Sequence, residues 1–98
     1  MKLLELFKVV KDENLTKEQV EDYHKQLREL RADIKLELAG IQKERAMFML
    51  KNRETPASHR EIDWKGSPEG QREIDLKAYV TATTDHIESL KTRIYALL

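Results

Sequence analysis

Two short patterns bring residues of catalytic or metal-binding type together. Glu21-Asp22-Tyr23-His24 holds a Glu-x-x-His pair. At a spacing of three, both side chains share one helix face, the arrangement that di-iron centres in helix bundles use. Such a centre also needs carboxylates from facing helices. Glu88 and Asp85-His86 are the nearest supply, and no second Glu-x-x-His occurs. No metal site is expected, because this spacing arises readily by chance in a charged helix. Thr84-Asp85-His86 sets a hydroxyl, a carboxyl and an imidazole side by side, but along one turn of a long helix, where a solvated surface is the plainer reading. His24, His59 and His86 are the only histidines, and the chain has no cysteine. That excludes a thiolate zinc site, a cysteine nucleophile and a disulfide framework. No catalytic residue, no cofactor and no enzymatic activity are expected, since two long helices offer no deep concave pocket.

A third group surrounds the single tryptophan. Lys51, Arg53, His59, Arg60 and Lys65 gather near Trp64, with Glu54, Glu61 and Asp63 interleaved. An ordinary solvated loop is the simpler reading. The alternative is a phosphate or nucleic-acid contact made by Lys51, Arg53, His59, Arg60, Trp64 and Lys65, with Trp64 stacking on a base. Trp64 is expected to anchor the end of a hairpin by burying its large surface, and the competing role is an exposed contact for another protein. Trp64-Lys65-Gly66 also resembles the W-x-G turn of the small secreted helical hairpins of similar length. That resemblance covers three residues and a topology. The chain is more charged than those proteins, and no Tyr-x-x-x-Asp/Glu pattern follows the second helix, so no function is carried over from it.

The elements that must position these groups are helices. Ala, Glu, Lys, Leu and Arg make up 50 of the 98 residues, a level typical of long helices and coiled coils. Eighteen basic and eighteen acidic side chains leave a formal charge of zero, which argues against nucleic-acid binding driven by net positive charge. Mean hydropathy is −0.68 and the apolar runs are short, so no membrane span is expected. Glu5 and Lys8 interrupt the apolar start, no signal peptide is read, and the cytoplasm is the default expectation. A membrane-surface role for the first eleven residues is disfavoured by their length and by Glu5.

Four of the five Gly and Pro residues, Pro56, Gly66, Pro68 and Gly70, fall in one stretch, and these residues interrupt regular structure. Thr16 and Gln19 form a capping box, with Leu15 and Val20 as its staple. From there Val20, Leu27, Ile34, Ile41 and Phe48 recur every seven residues. The spacing predicts a helix over 17–51, about 50 Å long. Ser67-Pro68-Glu69 reads as a cap, a first-turn proline and a first-turn acid, with Gly70 as a weak spot where the first turn could fray. Leu76, Val80, Thr83, Ile87, Leu90, Ile94 and Leu97 then alternate spacings of four and three, a heptad seam with one polar member. The fold class is therefore all-α: an antiparallel, coiled-coil-like two-helix hairpin over 17–51 and 68–98, joined by a connection at 52–67, with a short helix at 1–11, in a single domain. The connection is long for a helical hairpin and carries Ile62 and Trp64, so it is expected to fold back onto the hairpin end.

Polar residues near the seam suggest a register device. Glu37 and Glu44 fall beside Ile34, Leu38 and Ile41, with Arg31 and Arg45 flanking. Either they reach the edge of the stripe and meet basic side chains, or Glu37 and Thr83 form a buried polar layer that aligns the helices.

The first long helix is apolar on a second side. Ala32, Leu36, Ala39, Ala46 and Leu50 form a narrow line, with Lys43 as its one charged member and Gly40 beside it. Leu36 and Ile34 point roughly 200° apart, so one neighbouring helix cannot cover both. An oligomer interface made of Ala32, Leu36, Ala39, Gly40, Ala46 and Leu50 is expected, with two copies completing a four-helix core. The function expected is non-catalytic binding, assembly or regulation through helical surfaces as a homo-oligomer, with a further protein partner. By analogy alone, small accessory proteins, phage-encoded ones among them, work in this way. The alternative is nucleic-acid or nucleotide-phosphate binding through the basic tip or a dimer groove.

Overall fold

The computed structural model describes residues 2–97. Among them the protein is all-α, with four helices and no strand: α1 (Lys2–Val9), α2 (Lys17–Lys51), α3 (Ala57–Gly66) and α4 (Pro68–Ala96). The long α2 and α4 pack as a helical hairpin. Contacts divide the chain into two compact units, residues 1–33 with 80–98 and residues 34–79.

In the first unit, α1 meets the beginning of α2 and the end of α4. Its buried apolar side chains are Leu3, Leu6, Val10, Val20, Leu27, Ile87 and Leu90, with Thr83 fully enclosed among the polar ones. The apolar face of α1 is thus spent inward. The Phe7 ring lies 4.7 Å from that of His86, and Arg93 donates to the Asp12 carbonyl at 2.9 Å. Asp12 also accepts the Asn14 N–H at 2.9 Å, which closes the turn that the sequence places there. The capping box forms reciprocally: the Gln19 N–H donates to Thr16 Oγ1 at 3.2 Å, and the Thr16 N–H donates to Gln19 Oε1 at 2.9 Å.

In the second unit, the later part of α2, all of α3 and the beginning of α4 enclose Ile41, Trp64 and Leu76. Ile34, Leu38, Phe48, Met49 and Tyr79 pack against these three. The connection is itself a helix, α3, started by Pro56, whose carbonyl accepts the His59 and Arg60 N–H groups. Trp64 folds inward as expected and keeps 4% exposure, whereas Ile62 points outward at 67%. Ser67 alone joins α3 to α4. Its N–H and its hydroxyl both donate to the Trp64 carbonyl, at 3.0 and 2.6 Å. The same hydroxyl oxygen accepts the Gly70 N–H at 3.0 Å, capping α4.

Two expectations are corrected. Gly70 is no weak spot: it is buried, and a Cβ there would fall onto the backbone carbonyl of Trp64. Only glycine lets α4 approach α3 so closely at this point. Glu37 takes no part in a buried polar layer. Glu37 is exposed and takes a bidentate pair from Arg72, at 2.9 and 3.1 Å within the second unit. Thr83 belongs to the first unit, where its neighbour Thr84 accepts from Arg31 at 3.3 Å. Glu37 thus reaches the stripe edge and meets opposite charge.

Gly70→Ala should therefore lower stability by about 1–3 kcal/mol, the range for forcing extra atoms into a packed site. This reverses the gain of about 1 kcal/mol that alanine ordinarily brings to a helix interior. Thermal denaturation followed by circular dichroism reads the sign directly.

Candidate functional site

The side of α2 that α3 uses is set by Arg45, Phe48 and Met49. Arg45 donates to both Glu61 carboxylate oxygens at 2.6 and 2.7 Å. The Phe48 ring stands 5.6 Å from the Trp64 ring. Arg60 donates to the Met49 carbonyl at 3.1 Å, satisfying one acceptor of the last turn of α2. Residues three and four apart lie on one helix face, so α3 is confined to that face.

The opposite face is left bare. Leu36 is 74% and Leu50 66% exposed, and Ala39, Gly40, Lys43 and Ala46 are exposed between them. Ala32, earlier on the same helix, is exposed as well. All six residues assigned to the interface from the sequence thus stand on the solvent side of α2. Met47, 54% exposed, joins them and was missed. Eleven residues separate it from Leu36, three helical turns, which brings the two within roughly 20° at 100° per residue. A Cβ on Gly40 would meet nothing within 4 Å. The chain's own packing therefore gives no reason for a glycine that costs about 1 kcal/mol relative to alanine.

The basic group is divided. Lys51, Arg53, His59 and Lys65 are exposed. Arg53 lies 4.0 Å from Glu54, a fully solvated pair. Arg60 is half-buried and bonded to α2. Trp64 is enclosed, and its Nε1–H donates to Glu73 Oε1 at 3.0 Å. An indole so placed has no open ring face, so Trp64 is the anchor expected of it, and the alternative of stacking on a base finds no ring face to use. Its acceptor, Glu73, is the buried carboxylate the sequence reading overlooked. Arg45 lies 3.6 Å from one carboxylate oxygen and Lys77 3.8 Å from the other. Glu73 stands three residues before Leu76 and extends the same seam by one step, which is the signal that could have found it.

The remaining titratable groups hold no common ion site. Among the described residues no cluster of three or more His, Asp or Glu side chains could hold a metal. Glu21 is exposed. Burial and the nearby charges of Arg28, Lys91 and Arg31 lower the pKa of His24, against the opposing charge of Glu88. Burial, then Lys11, lowers that of His86. The Arg45 hydrogen bond lowers the pKa of Glu61 and raises that of Arg45. One open hollow in the first unit is lined by Leu15, Val20, Arg93 and Leu97. No helix among the described residues is long and apolar enough to cross a membrane. Comparison of the chain with protein-family models, curated proteins and solved structures finds no match.

Two measurements follow from these groups. Glu73→Ala leaves the buried indole N–H without an acceptor and should cost about 1–3 kcal/mol. Glu73→Gln keeps an acceptor and should cost less, and Glu73→Ala should cost less again in a Trp64→Phe background, because the two residues share one interaction. Denaturant titration of the wild type and the four variants tests this. His24 and His86, lowered below the usual value of about 6.5, favour the neutral form when folded, so their contribution is complete above that value and declines as pH falls through it. Glu61, lowered as well, contributes above its ordinary range and loses that contribution only in stronger acid. The melting temperature should fall between about pH 7 and pH 5, and His86→Phe, which keeps the ring contact, should flatten that slope.

Proposed function

We propose that this protein is a non-catalytic assembly or regulatory accessory protein that works by presenting the bare face of α2 and associates with itself through it. The observation that carries the reading is the exposure of Leu36, Met47 and Leu50 on the side of α2 opposite its packed core. Burial of each large aliphatic side chain contributes about 1.5–3 kcal/mol, and contiguous apolar surface of this kind marks interaction sites. Within the second unit, α2 is held by α3 through Arg45 and Phe48 and packed on α4 through Ile41 and Leu76.

The basic end of α2 and α3 supports nucleic-acid or phosphate binding less well. Of the six residues in that reading, two are committed inside the unit, and the exposed four stand among Glu54, Glu61 and Asp63.

Sedimentation equilibrium at micromolar concentration should show a dimer or higher assembly for the wild type. Leu36→Glu should give a monomer with unchanged helix content by circular dichroism, because this side chain touches solvent. A wild-type monomer at these concentrations, or an assembly indifferent to Leu36→Glu, overturns the reading.

A further inference from the structure

The bare face of α2 has a size pattern as well as an apolar one. Leu36, Ala39, Lys43, Ala46 and Leu50 are spaced three, four, three and four, and Ala32 continues the series at the other end. These are the core positions of a heptad seam, with alanine at every seventh residue (32, 39, 46) and a long side chain at every other core position (36, 43, 50). Such a seam can meet a copy of itself in two orientations, and they are not equivalent. Parallel and in register, each position faces its own kind. Alanine would face alanine and leave voids, leucine would face leucine and hold the helices apart, and Lys43 would face Lys43. Antiparallel, the two kinds of core position face one another. A single register then sets Leu36 against Ala46, Lys43 against Ala39, and Leu50 against Ala32 of the other copy. Every layer pairs one long side chain with one small one, and axes can approach to about 8 Å, the close end of helix packing.

Resting on the self-association proposed above, we infer that α2 pairs with α2 of a second copy in this antiparallel register. It accounts for two residues that the single chain leaves without a reason. Lys43 escapes its own image: its methylene stem lies across Ala39 and Gly40 of the other copy while the ammonium reaches water. Gly40, with open space around it in one chain, sits beside the two-fold axis, where a missing side chain makes room for that stem. The seam from 32 to 50 is about 27 Å long on helices about 10 Å across. It buries on the order of 1,000 Å² from both copies, below the about 1,200–2,000 Å² of stable specific interfaces and within the range of weak, reversible ones. A dimer that dissociates on dilution is the form expected.

The cysteine-free chain makes the orientation measurable. Leu36 and Ala46 are ten residues apart on one helix, about 15 Å along its axis, and a disulfide requires Cα atoms within about 7 Å. Neither an intrachain bridge nor a bridge between identical positions of the antiparallel pair can form. Upon mild oxidation, the double variant Leu36→Cys/Ala46→Cys should run as a covalent dimer on a non-reducing gel. Each single variant should run as a monomer, and a mixture of the two single variants should give the heterodimer. Cross-linking of Leu36→Cys with itself overturns the antiparallel register and leaves self-association standing. No cross-link in the double variant, when sedimentation shows it dimeric, does the same. A chain that sediments as a folded monomer removes the self-association and this inference with it. Circular dichroism of each variant separates these outcomes from misfolding.

Discussion

A buried indole N–H must have an acceptor, and in this chain the acceptor is a carboxylate. Trp64 of α3 donates to Glu73 of α4 at 3.0 Å, and both residues are enclosed. Burying a carboxylate is costly unless it is paired and hydrogen-bonded, and the structure meets that demand in part: Oε1 takes the indole N–H, while Oε2 is buried without a hydrogen bond and has only charges nearby. Arg45 of α2 approaches Glu73 while also holding Glu61 of α3, and Lys77 approaches from the next turn of α4. One polar requirement thereby ties together three helices that also share an apolar cluster around Ile41, Trp64 and Leu76. Dispersion and burial supply the attraction there, and the Trp64–Glu73–Arg45 chain of contacts decides which face of each helix turns inward.

The bare face of α2 is a by-product of that decision. Arg45, Phe48 and Met49 commit one side of α2 to α3, and Ile34, Leu38 and Ile41 commit the adjoining side to the rest of the unit. A helix of this length with both those sides occupied has only its outer side left. On that side, this sequence carries leucine, alanine and methionine where a lone surface helix would carry charge. The exposure of Leu36 and Leu50 thus follows from where α3 docks and is not an accident of a loose surface.

Much of this was legible in the sequence, because strong local signals governed it. The reciprocal bonds of Thr16 and Gln19 and the Ser67-Pro68 start of α4 are short-range chemistry that needs no tertiary knowledge. The seven-residue recurrence likewise exposes the buried positions Val20, Leu27 and Ile41. The bare stripe was legible for the same reason. The helix α3 was not, since only Trp64 of its ten residues is buried and no apolar period marks it. Gly70 misled because helix propensity is a local measure, whereas its necessity comes from a backbone carbonyl six residues away. Glu37 was drawn into an imagined layer because a helical projection gives direction and not the reach of Arg72. Glu73 was hidden by its charge, although its place on the seam announced it.

The single-residue joint at Ser67 has a consequence for how this chain can change over time. One side chain ends α3 and begins α4, so there is no slack between the two helices. Adding or deleting one residue would rotate everything after it by about 100° about the axis of α4. That would carry Glu73 away from the indole and press a new atom against the Trp64 carbonyl. The span from Trp64 to Glu73 is therefore a fixed ruler. A change of length in the turns before α2 and before α3 leaves that span intact.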